Sequence, residues 1–281
     1  MPRTIAITGA NGFIGKAFVK ALVEKNYQIK ALVRTIPSCK SEGVSYYLYS
    51  LEDDLDKKLF EDVDIFIHLA FQFEKQERNG MDVNIFAAEN LKRLNLAQYV
   101  FISSFAAAYP VTDSYYGKCK LAVEAFFKDD LIIRPALVLG AGGLFGRIQT
   151  QLSKTKFVPL LNGGKQIIQT ILLEDLVESS ICLLENQAKG IFHLAHAEKV
   201  FYKDFILKIA KKLQVKLFFL PIPVFLMKII LAFFELFPKP PINKDNLTGL
   251  LTSKYIDTTS EQKMMPQKWH SFEESFERIE M

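Results

Sequence analysis

The sequence predicts an α/β fold built on a doubly wound parallel sheet, with a smaller α/β lobe formed mainly by residues of about 140–281. Short apolar runs typical of buried parallel strands recur along the chain and alternate with helical spacing. No hairpin signal separates these runs, and a glycine-rich segment stands between the first strand and the first helix. These observations favour one domain over 1–281 rather than several.

The glycine-rich segment reads T-I-A-I-T-G-A-N-G-F-I-G from Thr4 to Gly15. Gly9 allows a sharp turn off the strand, Gly12 allows a phosphate to approach the backbone, and Gly15 allows close packing of helix on strand. The first turn of the helix offers free N–H groups to the phosphates. The order strand, glycine turn, helix predicts a Rossmann-type dinucleotide site, although the spacing G-x-x-G-x-x-G also occurs in ordinary tight turns.

The second strand, expected over Gln28–Val33, ends at Arg34. An acidic residue at this place would bind the ribose 2′-hydroxyl of NAD, whereas a guanidinium can pair with the 2′-phosphate of NADP. Arg34 therefore favours NADP as the cofactor, with NAD still open and a solvated loop arginine as the alternative.

The later elements follow from the same patterns. Pro135 is expected to break the sixth strand, and Gly140–Gly146 is expected to be a mobile segment, either a substrate loop or a plain connector. Further strands are expected over 45–49, 64–70, 99–103, 131–139 and 190–194, a turn over 162–164, and helices over 84–95, 115–128, 174–184 and 202–213.

A candidate catalytic group follows the fifth strand. Ser103 and Ser104 stand at its carboxyl end, where ligands of such sheets bind. Tyr116 and Lys120 are four residues apart and share one helical face, so the ammonium is expected to lower the pKa of the phenol. A serine, a tyrosine and a lysine together can move a proton to or from a carbonyl or alcohol while a nicotinamide carries the hydride.

Composition excludes several classes of function. The chain has 281 residues, is 49% apolar and carries a net charge of only +4, which is too weak for nucleic-acid binding. Its three separated cysteines indicate reduced thiols, and no secretory signal precedes the first strand, so we expect a cytoplasmic protein. His193 and His196 lack ligand partners at metal spacing and are interpreted as structural.

The most apolar stretch covers 217–237. Pro221 and Pro223 break its start, while Lys228 and Glu235 interrupt the rest, so the helical part is too short to span a bilayer. We interpret it as a buried helix of the C-terminal lobe. The alternative is a surface that contacts a membrane or a lipid-like substrate.

Taken together, these residues resemble the extended short-chain dehydrogenase/reductase family, which includes nucleotide-sugar epimerases and dehydratases. The resemblance is firmest from Thr4 to about Leu184. Its motifs are T-G-A-N-G-F-I-G (Thr8–Gly15), I-H-L-A (Ile67–Ala70), Asn84, I-S-S (Ile102–Ser104), Y-G-K-C-K (Tyr116–Lys120), I-R-P (Ile133–Pro135) and L-E-D-L (Leu173–Leu176).

The resemblance implies Tyr116 as catalytic acid/base, Lys120 as the residue that orients the nicotinamide ribose, and Ser104 as the hydroxyl that binds the reacting oxygen. Phe105 stands four residues before Tyr109, where the family usually has a Ser or Thr. Either the loop is one residue longer and Ser104 serves, which we favour, or the hydroxyl is missing and activity is impaired. Expected cofactor contacts are Gly9, Asn11, Gly12, Phe13, Ile14, Gly15, Arg34, Ser50, Leu51, Leu69, Ala70, Ser103, Tyr116, Lys120 and Pro135.

Two further departures concern the ligands. Ser50 replaces the aspartate that often holds adenine, and Leu137 replaces an asparagine that is common in sugar-nucleotide enzymes. The C-terminal half also resembles a divergent branch similar to the NAD(P)-binding accessory subunit of respiratory complex I. Members of that branch can bind a cofactor without turnover, whereas Tyr116 and Lys120 favour an enzyme here.

Three functions are therefore open. The first is an NAD(P)-dependent oxidoreductase or epimerase acting on a nucleotide-activated or lipid-linked sugar in surface polysaccharide synthesis. The second is an NADPH-dependent reductase of a small hydrophobic carbonyl compound, and the third is a non-catalytic dinucleotide-binding assembly or sensor protein. The resemblance also implies a homodimer through the helices of Asn84 and Tyr116.

Overall fold

The structure is a computed structural model that describes residues 2–108, 114–223 and 249–279. Its central feature in these ranges is a parallel sheet of seven strands. The strands are β1 (Thr4–Thr8), β2 (Gln28–Val33), β3 (Val44–Leu48), β4 (Ile65–His68), β7 (Gln98–Ile102), β8 (Leu131–Pro135) and β13 (Gly190–Leu194), with the short pair β5 (Glu77–Arg78) and β6 (Met81–Asp82) outside the sheet.

Helices cover both faces of this sheet. On one face α1 (Phe13–Glu24) packs beside α5 (Leu173–Glu185), and on the other α2 (Val83–Lys92) packs beside α3 (Tyr115–Glu124). The other described helices are α4 (Gly143–Lys154), α6 (Tyr202–Lys212), α7 (Thr259–Met264) and α8 (Phe272–Arg278).

The strand order across the sheet is β13-β8-β7-β4-β1-β2-β3. The chain first builds outward from β1 to β3 and then returns to place β4 on the other side of β1. A crevice therefore opens at the carboxyl ends of β1 and β4, which is where doubly wound sheets bind their ligands. This confirms the fold class that the sequence predicts.

Alternation along β1 shows why the sheet is buried on both faces. Ile5 and Ile7 join the apolar cluster under α1 and α5, whereas Ala6 joins the cluster under α2 and α3. All three are fully buried. Residues of β13 and α5 belong to these main layers, so part of the chain after Pro135 builds the main sheet and its core.

Several predicted bounds change for identifiable reasons. The fourth strand ends at His68 rather than Ala70, because the next two backbone N–H groups bond to a threonine side chain instead of a neighbouring strand. The sixth strand does break at Pro135. Residues Leu137–Leu139 form β9, which leaves the main sheet and pairs with β12 (Thr170–Leu172).

The remaining strands form small sheets in the C-terminal half. β10 (Phe157–Leu161) pairs with β15 (Phe218–Ile222), and β11 (Ile167–Ile168) pairs with β14 (Val200–Phe201). The start of the apolar stretch 217–237 is thus a strand, where Pro221 and Pro223 favour extended backbone, and the helix expected after these prolines falls on the later residues. The rest of that stretch lies outside the described residues. Within the described ranges, no helix has the length and apolar character that crossing a membrane requires.

Candidate functional site

The glycine segment makes a tight turn between β1 and α1. Gly9 has a φ of 70°, a left-handed conformation that favours glycine. A Cβ at Gly9 would lie 2.9 Å from the backbone N of Ala70, and a Cβ at Gly15 would lie 2.1 Å from the carbonyl oxygen of Gly9. Backbone therefore lies directly on backbone here, and neither position has room for a side chain.

The turn presents the amino end of α1 to the crevice. Gly12 occupies the N-cap and has no side chain to accept hydrogen bonds from the first N–H groups of the helix, those of Phe13, Ile14 and Gly15. The first turn contains no acidic residue. This arrangement fits the pyrophosphate of a dinucleotide, because the N–H groups and the helix dipole both favour an anion.

A threonine joins the ends of β1 and β4 beneath this turn. The Thr8 hydroxyl accepts hydrogen bonds from the N–H groups of Leu69 (3.1 Å) and Ala70 (3.2 Å). Its own proton is then donated to Nδ1 of His68 at 2.7 Å. Burial, with a contribution from the Lys120 charge, lowers the pKa of His68 to about 3, so this ring is neutral. The expected contacts Leu69 and Ala70 thus lie at the crevice.

Asn11 connects the turn to the end of β2. Its amide donates to the carbonyl oxygen of Thr35 at 2.8 Å, which holds the chain next to Arg34 beside the glycine turn. The Arg34 side chain is exposed. Its position at the carboxyl end of β2 is the one from which a cation can reach the adenosine ribose of a dinucleotide.

The end of β3 carries an acidic residue that the sequence analysis missed. Ser50 and Leu51 follow this strand, and the backbone N–H of Ser50 donates to the Asp53 carboxylate at 2.5 Å. The aspartate lies three residues after the position at which the family pattern expects one. The aspartate is visible in the sequence within S-L-E-D (Ser50–Asp53), but the spacing of the family pattern indicates Ser50 and not Asp53.

Helix α3 brings the predicted tyrosine and lysine to the crevice. Its N-cap, Ser114, accepts a hydrogen bond from the N–H of Gly117 at 3.2 Å and fixes the start of the helix. The Lys120 side chain is buried, and its Nζ donates to the carbonyl oxygen of Ile102 at 2.8 Å and lies 6.0 Å from the centre of the Tyr116 ring. The two residues thus share one face of α3, as predicted.

The protonation of this pair differs from the sequence-based expectation. Burial raises the pKa of Tyr116, and a hydrogen bond with Ser104 lowers it only in part. The pKa of Tyr116 is thus raised rather than lowered, because burial outweighs the hydrogen bond with Ser104. Burial also lowers the pKa of Lys120, to about 7, although Cys119 and Glu124 act in the opposite direction.

Two adjacent serines have different surroundings. The Ser104 hydroxyl bonds with Tyr116 and accepts from the N–H of Ala106, whereas the Ser103 hydroxyl donates to Glu124 at 2.5 Å. Glu124 also pairs with Arg134 through two hydrogen bonds, of 2.9 and 2.5 Å. Ser103 therefore belongs to a buried network that ties α3 to β8, while Ser104 is the hydroxyl next to the phenol.

The Phe105 side chain does not take the position of Ser104 beside the Tyr116 phenol. Its side chain is buried against Ala136 and Ala195 and makes an edge contact with the His193 ring. The adjacent tyrosine of α3, Tyr115, is also used elsewhere, because its hydroxyl donates to Asp82 at 2.6 Å. The Tyr116 hydroxyl bonds with Ser104.

The crevice beside Tyr116 has an aromatic wall that the sequence analysis did not identify. The Phe71 ring meets the Tyr116 ring edge-on at 4.9 Å, and the Phe73 ring stacks on it at 5.5 Å. Phe73 remains 61% exposed, and the Arg147 guanidinium lies 5.9 Å from its ring. The alternating F-Q-F directly after β4 could have indicated this wall.

Part of the segment Gly140–Gly146 is helical rather than a loop. Helix α4 begins at Gly143, and a Cβ at Gly140 or Gly142 would lie 2.8 or 2.6 Å from the Phe13 ring. The segment therefore packs on the residue that opens α1. Pro135 ends β8 close by and pairs with Leu194 of β13.

The two histidines have protein partners. Nδ1 of His196 lies 3.0 Å from the Thr170 hydroxyl and Nε2 lies 3.3 Å from that of Ser275, while Nε2 of His193 lies 3.4 Å from Arg134. Among the described residues, His, Cys, Asp and Glu form no group that could hold a metal ion.

Comparison with protein families gives a match over the region that forms this site. The family model described as "NAD dependent epimerase/dehydratase family" matches residues 5–135. These residues include the glycine turn, Arg34, Ser104 and both residues of the α3 pair.

Two characterised relatives carry different names. The ceramide reductase of Caulobacter vibrioides (strain NA1000 / CB15N) is 28% identical over 214 residues, which span 69% of this chain and 65% of that protein. The decarboxylating sterol-4-alpha-carboxylate 3-dehydrogenase of Dictyostelium discoideum is 24% identical over 311 residues, covering 93% of this chain and 94% of that protein.

Solved structures share the fold. An epimerase from Methanothermobacter thermautotrophicus matches with a TM-score of 0.73 at 14% identity, over 99% of this chain and 91% of that one. UDP-glucuronic acid 4-epimerase from Bacillus cereus, solved with UDP-glucuronic acid and NAD, matches with a TM-score of 0.66 at 16% identity, over 98% of both chains.

Proposed function

We propose that the chain is an NAD(P)-dependent oxidoreductase or epimerase of the NAD dependent epimerase/dehydratase family, whose model its residues 5–135 match, and that it uses Tyr116 as its acid/base. The observation that carries this proposal is the convergence of Tyr116, Ser104 and Lys120 next to the glycine turn. A bound nicotinamide would supply hydride transfer to or from the substrate carbon.

The chain's own residues supply the proton chemistry. Because its pKa is raised by burial, Tyr116 is protonated at neutral pH and can donate a proton to a substrate carbonyl oxygen. In the reverse direction the phenolate left by that donation is the group that accepts a proton from an alcohol. Ser104 hydrogen-bonds the same oxygen and holds it at the phenol. Lys120 is fixed by the Ile102 carbonyl and orients the nicotinamide ribose.

Arg34 supports NADP as the cofactor, with NAD as the alternative that fits the family name. Its exposed guanidinium at the end of β2 can pair with a 2′-phosphate. We expect Arg34→Ala to weaken NADPH binding about tenfold and to leave NADH binding nearly unchanged, measured by fluorescence titration. Equal effects on both cofactors would contradict the preference for NADP.

Two substrate classes follow from different observations. A nucleotide-activated or lipid-linked sugar is supported by fold neighbours that were solved with UDP-sugars. A hydrophobic carbonyl compound is supported by the aromatic wall of Phe71 and Phe73 beside Tyr116 and by relatives named for ceramide and a sterol. Conversion of UDP-glucose to another sugar nucleotide, compared with NAD(P)H-dependent reduction of a long-chain ketone, distinguishes the two. A homodimer and a cytoplasmic location stay predictions of the sequence.

The neighbouring tyrosines provide a matched test of catalysis. Tyr116→Phe should lower kcat by at least about 100-fold and retain cofactor affinity, because it removes the proton donor alone. Tyr115→Phe removes the hydroxyl of the neighbouring tyrosine, which bonds to Asp82, and should lower stability rather than turnover. Turnover that survives in Tyr116→Phe would contradict the assignment. Cofactor binding with no turnover of either substrate class would favour the non-catalytic alternative.

A further inference from the structure

The small sheet of β10 and β15 has one face in the core and one in solvent. Val158 and Leu160 of β10 are buried, and Val158 joins a core cluster with α6 and α8. On the opposite face Phe157 is 59%, Phe218 57% and Leu220 45% exposed. Period-two alternation of this kind normally leaves polar residues on the exposed face, so large apolar side chains there need an explanation.

The exposed side chains form one surface. Phe157 pairs directly with Phe218 in the register of the two strands, and their ring centres are 5.8 Å apart. Leu220 lies two residues further along β15 and points to the same side. We call these three residues, with Pro159 between them, the Phe157/Phe218 face.

Positive charge lies at one edge of this face. Lys156 and Lys216 precede the two strands at the same edge, where the Phe218 N–H bonds to the Lys156 carbonyl at 2.6 Å, and both lysines are exposed. Lys211 and Lys216 line a surface cleft of about 420 Å³ together with Phe218 and Leu207, which is also 43% exposed. The sequence contains no Asp or Glu in either 131–173 or 205–223.

We propose that the Phe157/Phe218 face docks on a membrane surface that contains anionic lipid, with the aromatic and leucine side chains in the interfacial region and the lysines on the headgroups. Apolar residues beside lysines provide both contributions on which peripheral binding depends, the burial of apolar area and the attraction to anionic headgroups. A second copy of the chain is a poorer occupant, because it would place like-charged lysines against each other.

Sedimentation with vesicles tests this proposal without reference to catalysis. The purified chain should bind vesicles of phosphatidylcholine with phosphatidylglycerol, bind phosphatidylcholine alone at least about tenfold more weakly, and be released by salt. The variant Phe157→Ser/Phe218→Ser should bind the anionic vesicles about tenfold more weakly, and Lys156→Glu/Lys216→Glu should lose the preference for anionic lipid.

Matched controls separate the face from general surface properties. Leu48→Ser removes a leucine that is 70% exposed on the edge strand β3, and Lys40→Glu/Lys128→Glu makes the same charge change at exposed lysines elsewhere. Both should bind vesicles like the wild type, and all variants should keep cofactor affinity and Tm. Absence of wild-type binding, or unchanged binding by the Phe157→Ser/Phe218→Ser variant, overturns the proposal. A dimer that this variant dissociates, with no vesicle binding, assigns the face to a second copy instead.

Discussion

Replacing Gly15 with alanine tests whether the glycine turn is the cofactor cradle. The added Cβ would lie 2.1 Å from the carbonyl oxygen of Gly9 and 2.9 Å from Cα of Ala10, so it meets backbone rather than a flexible side chain. To reach an ordinary contact of 3.4 Å, the turn and α1 must separate by roughly 1.3 Å. Such overpacking costs about 1–3 kcal/mol.

The same movement displaces the N–H groups that face the phosphates. We therefore expect Gly15→Ala to weaken dinucleotide binding at least about tenfold and to lower Tm by about 2–4 °C for each kcal/mol lost. Isothermal titration with NADH and NADPH and a thermal melt measure both effects.

Gly146→Ala is the matched control, since a Cβ there meets nothing closer than 3.8 Å within α4. It should stabilise the chain by about 0.5–1 kcal/mol, because alanine favours helix more than glycine does, and it should not change cofactor affinity. If Gly15→Ala binds cofactor like the wild type and melts no lower than Gly146→Ala, the turn does not hold the cofactor in the way described.

Two further predictions concern the catalytic face of the site. Ser104→Ala should lower kcat about tenfold or more, because Ser104 bonds with Tyr116, whereas Ser103→Ala should lower stability, because Ser103 bonds with Glu124. Steady-state kinetics and urea unfolding measure the two effects. A loss of kcat in Ser103→Ala with none in Ser104→Ala would contradict the assignment. The pKa of Lys120 falls from 10.5 to about 7 on folding, so the unfolded chain binds more protons in that interval and stability should rise with pH across it. Lys120→Met should remove this rise of the free energy of unfolding with pH, measured by urea unfolding. The same pH dependence in the variant would contradict a buried, destabilised ammonium at Lys120.

Local patterns in the sequence determine most of the dinucleotide-binding half. The strands at Thr4–Thr8 and Gln28–Val33 have the predicted bounds, because the apolar runs and the glycine residues that predict them lie within a few residues of each other in the sequence. The shared face of Tyr116 and Lys120 follows from helical spacing in the same way. The break at Pro135 is equally local, since proline cannot donate to the next strand pair.

Other features depend on residues that are distant in the sequence, and only the tertiary structure decides them. The pKa of Tyr116 depends on burial, which outweighs the hydrogen bond with Ser104. The roles of Ser103 and Ser104 depend on which side chain each hydroxyl bonds with in the folded chain. The aromatic wall forms because the segment after β4 folds back over α3, and the Phe157/Phe218 face exists because two strands far apart in the chain pair in parallel. Spacing fixes which residues share an element, whereas burial and charge arise between elements and require the folded chain.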